Sequence, residues 1–408
     1  MAFGKLWVIA FRDLGRNRRR TAFTLIAVAL GLALLILLNG YLAGVTEESL
    51  QNSIRLRTGH VQLRAASYEE KKVSLQWRDL LDNVEERTAQ ASAQPEVKAA
   101  APVLWATGIV NTADDSAGLQ VIGIDTSSPI YDPVRESVIA GAFLTADDRS
   151  GILIGQRLAD NLNLNAGDNV SLTLINADGE PEEGIFTVRG LFSTGIVSYD
   201  ANTLFMPLAK AQAFAGTGDR ASAILMLLHG QEDADAVAAS LQVPGTIALT
   251  WNELNQLFLQ TLETGMSFYL LLDAIVMLVV AVVIANTLLM AVFERIREMG
   301  ILAALGMKAR QIMLMFLLEA ATIGVLGSIL GIVLGLAGVA YLVYVGIYIG
   351  DLGATAQNVA LGDTLHGRFV PVTFAWLTLW TLVVILVASL YPAWFAARRE
   401  PVEALHSS

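Results

Sequence analysis

Between residues 294 and 320 the chain reads ERIREMGILAALGMKARQIMLMFLLEA. Glu294, Arg295, Arg297 and Glu298 place four charges within five residues, and Met299, Ile301, Leu302 and Leu305 follow at helical spacing. The chemistry open to such a stretch is recognition: ion pairing at one end and apolar insertion at the other. Gly300 and Gly306 permit sharp chain reversals around a short apolar helix. A link between two hydrophobic runs needs only a turn, so an extra helix offers a knob for a partner's groove. The competing expectation is a helix lying on lipid headgroups.

Bond-making chemistry finds little support. The chain has no cysteine, which excludes a disulfide framework, a thiolate metal site and a cysteine nucleophile. His60, His229, His366 and His406 are scattered with no HExxH spacing, so no metal site is expected. No GxSxG elbow occurs. The paired acids Asp147 with Asp148 and Glu182 with Glu183, and the trio Glu232, Asp233 and Asp235, are expected in loops or helix starts as solvated charges. The only Gly-Lys pair, Gly4-Lys5, continues into Leu6, so there is no GxxxxGK[ST] phosphate loop. This chain is therefore expected to carry neither its own ATPase site nor a cofactor.

The elements that must position the 294–310 stretch are membrane spans. Of 408 residues, 54% are apolar and 16% charged, which suits a bilayer better than water. Crossing the hydrocarbon takes about 20 apolar residues. Thr21 to Ala43, Ala274 to Phe293, Gln311 to Ile349 and Phe369 to Ala397 qualify, with Glu319 the only charge inside them and Asp273 just before the second. The first run follows RNRRR but is longer than a signal core of roughly 7–15 residues, so it reads as an uncleaved anchor.

Segments 1–20, 294–310 and 398–408 hold 12 Lys and Arg against five acids, whereas 46–264 holds 14 against 29. Short basic loops stay in the cytoplasm, which puts both termini there and the acidic segment outside. The net charge of −11 belongs to that outer segment, and no basic, aromatic-interleaved patch supports nucleic-acid binding. Phe3, Trp7, Phe11 and Leu14, with Lys5, Arg12 and Arg16 on other faces, predict an interfacial helix over 1–20.

The expected organisation is an α-helical membrane protein with four transmembrane helices and a large extracytoplasmic α+β domain between helices 1 and 2. Its parts are the first span and stalk (21–57), the α+β domain (58–248), the second stalk and span (249–293), the cytoplasmic helix (294–310), span three (311–345), an outer loop (346–370), span four (371–397) and a tail (398–408). In the outer domain GHVQLR, APVLWATGIV, GLQVIGID, GILIG, NVSLTLI, GIFTVRGLF and ASAILMLL predict strands. QRLADNLNL, PLAKAQAFAG and EDADAVAASLQ predict helices, and NADGEPEEG a hairpin loop.

FERIREMGILAALGMKARQIMLMFLLEAATIGVLGSILGIVLG resembles the FtsX-type permease domain of the MacB/Lol superfamily of ABC transporters, as does YPAWFAARREPVEAL at Tyr391 to Leu405. GAFLTADDRSGILIGQRLADNLNLNAGDNVSLTL is similar to the outer domain of those permeases, and LLNGYLAGVTEESLQNSIRLRTGHVQL looks most like the lipoprotein-releasing branch. The resemblance implies a permease domain over 272–400 and a bacterial inner-membrane location with the large domain in the periplasm. It also implies a dimer with a second permease protomer, and a separate cytosolic ATPase subunit holding ATP and Mg. The ATPase-coupling element would then be Glu294, Arg297, Glu298, Met299, Gly300, Ile301, Leu302, Leu305 and Gly306. Closure of the ATPase would tilt the spans and move the outer domain.

Gly327, Gly331 and Gly335 recur every four residues, and Gly40 and Gly44 repeat the spacing, which allows close helix approach within the chain or between protomers. Pro392 is expected to kink the last span. Glu319 reads as a polar or coupling-loop contact rather than a proton relay, and Asp273 as an acid near water. Phe258, Leu259, Leu262, Phe268 and Tyr269 are candidates for a lateral cargo entrance, or for ordinary packing. The leading function is extraction of an amphiphile, a lipoprotein first, from the outer leaflet, with a periplasmic lipoprotein, chaperone or adaptor as further partners besides membrane lipids. Drug or peptide efflux and a non-transporting activator of a cell-wall hydrolase are the alternatives.

Overall fold

The computed structural model describes residues 18–69, 72–350 and 361–398. The interfacial helix expected over 1–20 therefore lies outside the described residues except for 18–20, and the tail does so beyond Arg398. The described residues form two compact units: a membrane unit within Met1–Val45, Leu262–Ile347 and His366–Ser408, and an outer unit within Thr46–Thr261 and Tyr348–Leu365.

Five helices organise the first unit: α1 (Arg18–Ser53), α2 (Gln256–Glu294), α3 (Ile296–Ala304), α4 (Ala309–Tyr344) and α5 (Pro371–Ala397). Four of them, α1, α2, α4 and α5, are long and apolar enough to cross a membrane. The polar VTEESLQNSIRLR continues α1 to Ser53 and ends in a π turn at Ile54–Thr58. At the other stalk segment, a short helix Trp251–Leu254 precedes α2. Thr250 caps it by accepting from the Glu253 amide, and the Glu253 carboxylate accepts from the Thr250 amide at 2.9 Å. Pro392 sits buried inside a helix that continues to Ala397.

Within the membrane unit α4 lies against α1 along the glycine stripe. A methyl group at Gly327 would come within 2.7 Å of Val28, at Gly331 within 2.9 Å of the Ala29 carbonyl, and at Gly335 within 2.9 Å of Ile36. A side chain at Gly40 would meet Val339 at 2.8 Å, and one at Gly44 would strike the His366 carbonyl. These glycines are occupied by packing inside the chain, as small-residue faces in lipid commonly are.

Among the described residues the main sheet of the outer unit has ten strands: β1 (Val61–Ala65), β2 (Val97–Asn111), β3 (Ser116–Ile124), β4 (Val138–Gly141), β5 (Gly151–Gly155), β6 (Asn169–Ile175), β7 (Pro181–Phe192), β8 (Thr203–Pro207), β9 (Ala223–Leu228) and β10 (Thr246–Thr250). The order is β10-β1-β9-β2-β3-β8-β5-β7-β4, with β6 joining β7 back to β2. Strands β2, β3, β8, β5, β7 and β6 therefore close a ring, and β1, β9 and β10 extend the first half of β2 as an antiparallel sheet.

Period-two alternation builds the two cores. Leu104, Val121, Ile152, Ile154, Leu204 and Met206 join Leu172 and Phe186 inside the ring. Their neighbours Val103, Trp105, Ile122, Leu153 and Phe205 face the other cluster, against β1, β9 and the helices. Strands β4, β8 and β10 and the helix Val84–Ser92 add to the expected elements. All five residues of β8 are buried, and it pairs parallel with β3, so its sequence shows no alternation. Glu182 and Glu183 lie within β7 rather than in a loop, because the hairpin turn closes earlier, at Asn176–Glu180.

Candidate functional site

Helix α3 begins where α2 ends, with Arg295 breaking the run between them. Arg295 is buried, and its guanidinium stands 3.7 Å from the carboxylate of Glu319 on α4. Glu319, only 2% exposed, also lies 4.0 Å from Arg20 of α1. Arg20 in turn pairs with Glu294 at 2.6 Å. Two cations and two carboxylates from α1, α2, α4 and the α2–α3 turn thus form one cluster. Burial of a lone carboxylate in such a setting is costly, and the arginines offset that cost. The contact expected for Glu319 is thereby identified, whereas Arg20 and Arg295 carried no sequence signal beyond their charge.

Beyond this cluster α3 has two faces. Met299 is 3% exposed and packs with Ala291, Val292, Ile312, Met315, Phe316 and Ala393. Gly300 is buried inside the helix, not at a chain reversal as its residue type suggested; the backbone there is simply continued α-helix. Ile301 is 47% and Leu305 79% exposed, with Leu302 half-buried, Arg297 exposed and Glu298 half-buried. Gly306 does make the reversal, at φ +91°, a conformation that suits a residue without a Cβ. Of the expected knob, then, Met299 and Gly300 are the root; Ile301 and Leu305 are the tip. The burial of Met299 follows from an amphipathic helix turning one apolar stripe onto the spans.

Polar contacts also join α1 to α2. Thr24 meets Thr287 at 3.3 Å, and Asp273, half-buried, accepts from Asn39 at 3.1 Å. Asp273 is therefore held by a neighbouring helix rather than standing in water alone.

The cargo-entrance candidates divide between the units. Leu262, Phe268 and Tyr269 belong to the membrane unit, where the last two rings stand 6.3 Å apart, edge to face. Phe258 and Leu259 belong to the outer unit, and Phe258 lines a cavity there. Half-buried His60 in the same unit accepts from the Leu228 amide at Nδ1, 2.9 Å, and burial holds its pKa below the usual value, against the opposing pull of Glu232. Among the described residues no cluster of three or more His, Asp or Glu side chains is arranged to hold a metal ion.

The pattern of the MacB-like periplasmic core domain matches residues 21–243, and that of the FtsX-like permease C-terminal domain matches residues 271–401. The chain is 23% identical, over 94% of its length and 93% of the relative's, to the lipoprotein-releasing system transmembrane protein LolC of Neisseria meningitidis. It is 25% identical to the corresponding LolE of Haemophilus influenzae, over 94% of each chain. To the macrolide export ATP-binding/permease protein MacB of Sodalis glossinidius it is 24% identical over 98% of its own length, spanning 60% of that relative.

Proposed function

This chain belongs to the family of ABC transporter permeases that join a MacB-like periplasmic core domain to an FtsX-like C-terminal domain, and we propose that it passes force from a cytosolic ATPase to its outer domain to extract an acylated amphiphile. In this reading the termini and α3 face the cytoplasm, in keeping with the basic bias of 294–310. Exposed Ile301 and Leu305 enter a groove on the ATPase, while Met299 and the Arg295–Glu319 pair tie the helix to α4. A displacement at the tip would be carried by a buried ion pair and a packed methionine rather than lost in the Arg295 turn. A second protomer, like or unlike this one, completes the permease.

The single observation that carries this reading is the split of α3 into an anchored face and a bare apolar tip. Lipoprotein cargo is supported by the names of the LolC and LolE relatives, which match nearly end to end. The MacB relative supports a second reading, export of a hydrophobic drug. Both are tested by purifying the full chain with its ATPase in nanodiscs and identifying co-purifying molecules by mass spectrometry. ATP-dependent release of a triacylated protein is the expected result; ATP-dependent release of a macrolide with no acylated protein bound would favour the second.

A further inference from the structure

The outer unit encloses a cavity of about 710 Å³, within the roughly 300–1,000 Å³ range of small-molecule sites. One wall is the sheet, through Trp105, Ile122 and Phe205, with Tyr131 of the short helix Pro129–Tyr131 beside it; also lining it are residues of the π turn Ile54–Thr58 and of the 254–261 segment, among them Phe258. Three features define what it would take. Among the described residues its lining is mostly aromatic and aliphatic, with Ser53, Gln62, Gln120 and Asn255 between them, and includes no Asp or Glu that would offer a counter-charge to a cationic amine. The charged residue among the described lining residues is Arg57, which is exposed. Tyr131 is 5% exposed, and its hydroxyl has no hydrogen-bond partner among the described residues, whereas that of neighbouring Tyr199 donates to the Leu56 carbonyl at 3.0 Å.

A buried hydroxyl without an acceptor is unfavourable, and an incoming carbonyl would satisfy it. Aromatic walls suit an extended hydrocarbon, which needs area and no directional contacts. We propose that this cavity is a binding site for a long acyl chain, with a carbonyl accepting from Tyr131 and the ester or carboxylate end turned toward Arg57. This deepens the amphiphile reading above and rests on it for its biological setting, but not for its chemistry. The segments that carry Arg57 and Phe258 continue in sequence into α1 and α2, so the cavity is built from the same stretches of chain that lead to the spans.

The test is photo-crosslinking of the full chain in nanodiscs, with peptide mapping by mass spectrometry. Two probes separate the sources of the acyl group: a diazirine-bearing palmitic acid, and a triacylated lipopeptide carrying the same diazirine. Labelling by either at peptides bearing Trp105, Ile122 or Phe258 is the expected result. Tyr131→Phe, which keeps the ring and removes only the hydroxyl, should lower that labelling about fivefold, as loss of one buried hydrogen bond would. Arg57→Gln should lower it as well. Labelling confined to α1, α2, α4 and α5 would overturn the proposal, and so would unchanged labelling in both variants with unaltered near-UV circular dichroism. No ATPase is needed, so a failure here is distinct from a failure of force transmission.

Discussion

In the membrane unit, α4 meets α1 through Gly327, Gly331 and Gly335, whereas the outer unit fills its interior with Phe186, Phe192 and Phe205. The difference follows the solvent. Lipid tails reward helix association little for burying apolar area, so contact must come from close backbone approach, which small residues permit. Water rewards each buried ring in proportion to area, so large side chains serve best there. Charge follows the same rule: in the membrane unit Glu319 is buried beside two arginines, while the outer unit keeps nearly all its acids at the surface.

The largest effect should come from removing a ring. Phe205→Ala is expected to cost about 3–5 kcal/mol, read as a fall in the outer unit's unfolding midpoint; a near-silent change would mean that its cluster is not packed. Of comparable size, Glu319→Ala leaves Arg295 without its buried partner and should cost about 3–5 kcal/mol by thermal unfolding in nanodiscs. Exchanging the charges as Glu319→Arg with Arg295→Glu should recover part of the loss, and no recovery would mean that the pair is not the cause. Smaller is Gly331→Leu, an overpacking at the Ala29 carbonyl worth roughly 1–3 kcal/mol. Were the stripe a free protomer-facing surface instead, that substitution would alter dimerisation and leave the monomer's stability unchanged.

Smallest is the effect of pH on His60. Its folded pKa lies below the unfolded one, so the unfolded chain binds the proton more readily. Its contribution to stability is complete above the unfolded value, about 6.5, and is lost as pH falls toward the depressed folded value. His60→Gln should flatten that part of the stability profile; an unchanged slope would assign it to other groups.

Much of this contrast is legible in the sequence. Uncharged runs of span length, the four-residue glycine spacing and a single acid in FLLEA mark the membrane unit, because lipid tolerates few alternatives. Strands with one face in each core, such as β5, show themselves as short apolar runs between turns. What escapes is context. β8 has one face in each core as β5 does, but its apolar run is only Leu204, Phe205 and Met206 before Pro207, and β4 is the four-residue VIAG, so both are too short to stand out from their flanks. Gly300 suggests a turn by residue type yet serves inside a helix, since nothing local distinguishes a packing glycine from a turning one. The inward direction of Met299 depends on Phe316 and Ala393, which are distant in sequence. Arg20 and Glu319 are likewise 299 positions apart, so their cluster is invisible until the helices meet.

The central claim, that the tip of α3 is where the ATPase engages, is tested most directly with Leu305→Asp. Leu305 is 79% exposed, so the substitution should leave the chain's thermal stability within about 0.5 kcal/mol. The measurement is stimulated ATP hydrolysis and complex formation with the ATPase subunit in nanodiscs, variant against parent. Loss of both with unchanged stability is the predicted result; normal binding and normal stimulation would contradict it.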